Sequence, residues 1–310
     1  MLKKIVFMGT PIFSVPILKS LYQNGYPISV VYTQPPQKSQ RGQKINKSPI
    51  QGISETLNID YRTPFSLKDN NEEYEYLKKL NPDIVIVVAY GQIIPKKILA
   101  LSKKGFINIH ASLLPRYRGA APIQRSIMNL EKETGISIMK IDEKLDTGPV
   151  CNSYKIKITD NDNAETISEK LSSLAAEKII DNIDDILDDK IDFKEQLHSE
   201  ATYAAKIEKS EGKINWEETA ESIIGKINGL YQSPGAFFTY KGERYKILKA
   251  VLTPSIGKSG NVLNDYLEIC CGNKKSIKIL EIQRQGKRPQ NVSEFMLGSQ
   301  IKKGLNLNNA

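Results

Sequence analysis

Asp83-Ile-Val-Ile-Val-Val-Ala89 is apolar on both of its alternating faces, the pattern of a strand buried inside a sheet with both sides covered. Outward from it, short β-branched runs recur at Lys4–Met8, Ile28–Thr33 and Phe106–His110, with amphipathic helical spacing between them. Strands alternating with helices predict an α/β domain: a Rossmann-like, mostly parallel sheet flanked by helices. Further strands are expected at Gly135–Asp142 and Val150–Ile158. Helical spacing then runs through Ala164–Leu187, where Ile167, Leu171, Leu174, Ile179, Ile183 and Ile186 form an apolar stripe that should close the first domain.

From Asp188 to about Ala205 the chain reads as a polar connector, and beyond it the pattern changes to short strands broken by turn residues. Ala236–Tyr240, Tyr245–Val251, Tyr266–Cys270 and Ser276–Gln283, with a helix near Trp216–Asn228, predict a small β-barrel. The expected division is therefore a first domain over 1–189, a linker over 190–205 and a second domain over 206–310.

Composition narrows the class. With 310 residues, 40% hydrophobic and 25% charged, the chain fits neither wholesale disorder nor a membrane bundle. Its longest apolar stretch, Ile84 to Tyr90, falls far short of the roughly 18 residues a bilayer span requires. The apolar run after the amino-terminal lysine pair stops at Gly9-Thr-Pro11, too early for a secretory signal. Cys151, Cys270 and Cys271 are odd in number and none has C-x-x-C spacing, so reduced thiols, no zinc and a cytoplasmic location are expected. The excess positive charge is uneven. Residues 1–205 carry 27 Lys+Arg against 25 Asp+Glu, a net of +2, whereas residues 206–310 carry 17 against 10, a net of +7. A small basic domain attached to a near-neutral one fits a polyanionic partner.

Only two histidines exist, His110 and His198. Strand alternation puts Asn108 on the same face as His110, roughly 7 Å away along the chain, and ligands of open α/β sheets bind at the carboxyl ends of strands, where His110 lies. An amide and an imidazole aimed into one pocket can both donate to a carbonyl oxygen that is becoming an oxyanion. A carboxylate to partner the imidazole is available in Lys144-Leu-Asp-Thr-Gly-Pro149, where Asp146 is the first candidate and Asp142 and Glu143 are rivals. A single D-T-G excludes a monomeric aspartic protease, which needs two. Met8-Gly-Thr-Pro11 lacks the spacing of a dinucleotide site or P-loop. Gln34–Pro49 carries Lys38, Arg41, Lys44 and Lys47 with no acidic residue, after the second strand and so at the edge where the site is expected.

Asn108-Ile-His-Ala-Ser-Leu-Leu-Pro-Arg-Tyr-Arg-Gly-Ala-Ala-Pro-Ile-Gln124, followed by Leu145-Asp-Thr-Gly148, resembles the methionyl-tRNA formyltransferases, within the wider family of 10-formyltetrahydrofolate-dependent formyltransferases. The likeness extends from Met8-Gly-Thr-Pro11 through Val87-Val-Ala-Tyr-Gly91 to Gly286-Lys-Arg288. Tyr117 stands where that family usually has Trp, and Tyr231-Gln-Ser-Pro234 replaces a more usual Asn-Pro-Trp-Pro. The resemblance implies a catalytic trio of Asn108, His110 and Asp146, and folate contacts at Ser112, Leu113, Leu114 and Pro115. It implies tRNA contacts from the basic loop at Arg41 and Lys44, and an OB-like second domain that contacts tRNA. The implied activity is transfer of a formyl group from 10-formyltetrahydrofolate to the α-amine of initiator methionyl-tRNA. No metal is expected, because this formyl donor is already activated; no membrane is expected, because no apolar stretch could span one; and a monomer is expected, because the sequence offers no obvious interface. A formyltransferase acting on glycinamide ribonucleotide or an amino sugar is the nearest rival, and would have little use for the basic loop and second domain. An RNA-binding protein on an abandoned enzyme fold is a rival of another class, which the intact trio disfavours.

Overall fold

The computed structural model describes residues 3–38 and 45–309. The first sheet has seven strands: β1 (Ile5–Gly9), β2 (Ile28–Tyr32), β3 (Tyr61–Arg62), β4 (Ile84–Val88), β5 (Phe106–His110), β6 (Glu133–Lys140) and β7 (Val150–Lys157). Their order across the sheet is β7-β6-β5-β4-β1-β2-β3. The pairings β1 with β2, β1 with β4, β2 with β3 and β4 with β5 are parallel, and β5 with β6 is antiparallel. Every residue of β1 and β4 is buried, as their unbroken apolar sequences require. Successive strands leave β1 in opposite directions, β2 to one side and β4 to the other, so the carboxyl ends of β1, β4 and β5 border the crevice where ligands of such sheets bind.

Asp83, just before β4, ties the sheet's lower edge together, because its carboxylate accepts from the Lys4 amide at 2.6 Å and from Lys103 Nζ at 2.7 Å. The bond from Lys103 holds this carboxyl below the usual range. A folded value depressed below the unfolded one means that the stabilisation is complete above about pH 4 and is lost as pH falls through the folded value. Asp83→Asn should therefore flatten the loss of stability between pH 5 and pH 3, measured by urea unfolding at each pH; equal acid sensitivity in both proteins would count against this linkage.

The chain divides into two compact units, one of Met1–Gly119, Thr134–Ile156 and Ser168–Tyr203, the other of Ala120–Glu133, Lys157–Ile167 and Ala204–Ala310. In the second, β8 (Ala236–Tyr240), β9 (Glu243–Thr253), β10 (Glu268–Cys270) and β11 (Ser276–Arg284) form an antiparallel sheet in the order β8-β9-β11-β10, with β12 (Gln290–Asn291) added to β11. It curls into a half-barrel, and the register shifts around Lys249 in the long strand β9 supply local bends. Trp216, Phe238, Tyr245 and Phe295 form a chain of ring contacts 5.4 to 5.9 Å apart through its core.

The expected helix near Trp216 starts later, at Ala220, and ends at Gly229. Thr219 is the reason, since its hydroxyl accepts from the Ser222 amide at 3.1 Å and caps the helix, leaving Trp216 ahead of it as a core residue. Gly225 and Gly229, four residues apart, let this helix approach Pro122–Met128 closely. A Cβ at Gly225 would lie 3.0 Å from the Met128 carbonyl oxygen, and one at Gly229 would lie 2.9 Å from that of Gln124.

Candidate active site

His110 ends β5, opposite Ser137 of β6, and Asn108 lies two residues earlier, between Val87 of β4 and Met139 of β6. His110 is buried and Asn108 is half-buried. Among the described residues the Asn108 amide has no hydrogen-bond partner, so its donors are unspent.

The loop that follows returns to meet the imidazole. His110 Nε2 lies 2.9 Å from the Tyr117 carbonyl oxygen. A carbonyl only accepts, so Nε2 carries a proton and Nδ1 is the edge left for chemistry. That edge faces Asp146, with Nδ1 3.7 Å from Oδ2. The separation is too long for a direct hydrogen bond and leaves room for an atom to bond to both. Asp146 Oδ2 accepts from the Gly119 amide at 2.8 Å, which makes Asp146, rather than its sequence rivals Asp142 and Glu143, the carboxylate held against this histidine. Both Tyr117 (φ 59°) and Asp146 (φ 51°) adopt the left-handed backbone region, a conformation that persists in non-glycine residues only when the surroundings hold it.

Ser112 is buried and donates to the Arg116 carbonyl at 2.7 Å, which spends its hydroxyl on the shape of its own loop. Ser137 adds a second anchor: its hydroxyl donates to the Ser112 carbonyl at 2.8 Å and accepts from the Leu114 amide at 3.1 Å. Leu113, Leu114 and Pro115 are half-buried and turn partly outward. Arg41 and Lys44 lie outside the described residues.

Four participants were not legible as site residues in the sequence: Tyr117 through its carbonyl, Arg118, Gln196 and His198. Arg118 is buried, and its guanidinium donates to Gln196 Oε1 at 2.7 and 3.1 Å and to His198 Nδ1 at 3.0 Å. Gln196 Nε2 donates to the carbonyls of Asp146 at 2.9 Å and Gly148 at 2.7 Å. Residues 196–202, expected as a plain connector, thus bond back to this loop, and the Tyr117 amide donates to the Thr202 hydroxyl at 2.9 Å. His198 had a visible signal as one of the two histidines, and Arg118 as a residue of the Arg-Tyr-Arg-Gly-Ala-Ala-Pro run; Gln196 had none.

Among the described residues no three His, Cys, Asp or Glu side chains gather as a metal site, and no helix is long and apolar enough to cross a membrane.

Known proteins share this arrangement of chain. The formyl transferase family matches residues 3–183, and the formyl transferase carboxyl-terminal domain matches residues 206–300. The methionyl-tRNA formyltransferase of Pelagibacter ubique is 72% identical over 309 residues, covering 100% of both chains. That of Caldanaerobacter subterraneus subsp. tengcongensis is 42% identical, over 97% of this chain and 98% of its own. Among solved structures, an N-formyltransferase from Helicobacter canadensis in complex with folinic acid and dTDP-3-aminofucose superimposes with a TM-score of 0.67 at 21% identity, over 90% of this chain and 99% of its own; at that identity the likeness is one of fold. Matched by both family descriptions over most of its length, and by methionyl-tRNA formyltransferases over nearly all of it, the chain belongs to the formyl transferase family.

Proposed function

We propose that the chain transfers the formyl group of 10-formyltetrahydrofolate to the α-amine of methionine esterified to initiator tRNA, giving N-formylmethionyl-tRNA for translation initiation in the cytoplasm. One observation carries the chemistry: the free Nδ1 edge of His110 stands 3.7 Å from a carboxylate, on the strand that also bears the unspent amide of Asn108. The relatives named methionyl-tRNA formyltransferase support the acceptor, as does the net charge of +7 over residues 206–310. On the half-barrel, Lys241, Arg284, Lys287 and Arg288 line a cleft of about 600 Å³ together with Glu243 and Glu294, an excess of cations suited to RNA phosphates.

In this reading residues 1–189 are the catalytic part, 190–205 the connector and 206–310 the tRNA-binding part, working as a monomer. The half-buried Leu113, Leu114 and Pro115 offer the folate an apolar face, with Ser112 shaping their loop. The neutral amine attacks the formyl carbon. As the oxygen gains charge, Asn108 and protonated His110 Nδ1 donate to it, acting on charge that exists only in the transition state. Asp146 compensates the imidazolium, takes the proton released by the amine, directly or through water, and returns it to N10 as the bond from the formyl carbon to N10 breaks.

The reading is tested by incubating the protein with labelled 10-formyl donor and methionyl-tRNA, glycinamide ribonucleotide or buffer. Label in the tRNA alone is expected; label in the small acceptor would favour the rival. Arg41→Ala should raise KM for tRNA with kcat little changed, and KM should climb steeply with salt. A KM indifferent to salt would remove the electrostatic part.

A further inference from the structure

We propose that Gln196 is a positioning residue of the transfer reaction, which holds the Asp142–Gly148 turn, and through it the Asp146 carboxylate, at its distance from His110. The inference rests on the catalytic reading of Asp146 given above.

The hydrogen bonds of Gln196 admit one orientation of its amide. Two of its partners are the carbonyl oxygens of Asp146 and Gly148, which only accept, so Nε2 faces them at 2.9 and 2.7 Å. Its other partner is the Arg118 guanidinium, which only donates, so Oε1 faces Nη2 at 2.7 Å and Nε at 3.1 Å. The side chain is buried, and both ends of its amide are satisfied. His198 completes the clamp from outside: its Nδ1, 3.0 Å from Arg118 Nη2, accepts from the same guanidinium.

The contacts close into a ring. Gln196 holds the Asp146 carbonyl, Arg118 holds Gln196, and Gly119, next to Arg118, donates its amide to Asp146 Oδ2 at 2.8 Å. Asp146 is therefore fixed at its backbone and at its carboxylate by groups tied to each other. Its left-handed backbone, φ 51°, would relax in a free turn and carry the carboxylate away from the imidazole. Alignment of reacting groups is steep in its effect, and a misplacement of about 1 Å can cost about 10²-fold in rate.

A neutral amide is the side chain this ring needs. Gln196→Glu keeps the size and improves the acceptor for Arg118, but presses a carboxylate oxygen against two carbonyls and releases the turn. The expected result is a fall in kcat of about 30–100-fold with KM for donor and tRNA within about twofold. The cycle with Asp146→Asn separates the possibilities. Asp146→Asn alone should lose about 10²–10⁴-fold, and adding Gln196→Glu to it should cost nothing further, because the residue being positioned is already lost. Losses that multiply would mean that Gln196 acts on the fold at large, and overturn the proposal. So would a kcat for Gln196→Glu within twofold of wild type, which leaves the role of Asp146 intact. Full activity of Asp146→Asn would overturn both. If Gln196→Glu melts well below the parent, Gln196→Met, equal in length and without donors, is read through the same cycle.

Discussion

Replacing His110 with alanine lowers kcat by about 10²–10⁴-fold, while KM for methionyl-tRNA stays within a few-fold. The split follows from the imidazole's two edges. Nε2 is spent on the Tyr117 carbonyl at 2.9 Å and serves to hold the ring, so only Nδ1 can act on the reacting atoms. Nδ1 faces Asp146, so its loss removes transition-state stabilisation and leaves the basic residues assigned to tRNA in place. Stability should fall as well, by about 1–3 kcal/mol, since the buried Tyr117 carbonyl loses its 2.9 Å bond from the imidazole. Single-turnover rates at saturating tRNA, with a thermal melt of each protein, measure the two effects separately. A rate within tenfold of the parent would mean that the imidazole is a fixture of the loop and not a participant.

Gly148→Ala should be the most damaging single methyl in the first unit. A Cβ there would stand 2.0 Å from the Lys140 carbonyl oxygen and 3.0 Å from its carbon, and both are backbone atoms of β6 that cannot rotate away. The Lys140 amide is also bonded to the Pro149 carbonyl at 2.9 Å, so relief requires parting the turn from the strand. We expect about 3 kcal/mol or more of destabilisation, at the upper end of overpacking costs, with loss of activity because Asp146 rides on the same turn. Gly242→Ala is the comparison: its φ of 75° is unfavourable, but nothing lies within 4 Å of the added carbon. Its cost should stay near the roughly 1–2 kcal/mol of the left-handed conformation alone. Urea unfolding of the two variants gives the contrast, and equal midpoints would show that the close approach at Gly148 carries no cost.

The elements that were legible are those whose periodicity is imposed by burial. Phe106–His110, Ala236–Tyr240 and Ala164–Leu187 have the bounds expected of them. Where a cap or turn sets the boundary, expectation slipped: Trp216 stands outside the helix it was expected to begin, because Thr219 offers a hydroxyl to the first turn. The strand expected from Tyr266 starts at Glu268, after Leu267 turns into the left-handed region. The convergence of His110 and Asp146 was an inference from motif and resemblance, since no local pattern states a distance between residues 36 positions apart.

By itself the sequence determined the alternating strands and helices, the buried strand at the centre of the first sheet, the concentration of positive charge after residue 205, and the likeness that named the family. Each of these is written in neighbouring residues, since hydrophobic period, turn chemistry and charge density are local properties of the chain. Only the tertiary structure decided which imidazole nitrogen is free, that Ser112 serves its own loop, and that Gln196 reaches back across 50 positions to the Asp146 carbonyl. Such contacts follow from where folding brings a donor and an acceptor together, and a glutamine in a polar connector has no period, charge or cap to announce the partner it will meet.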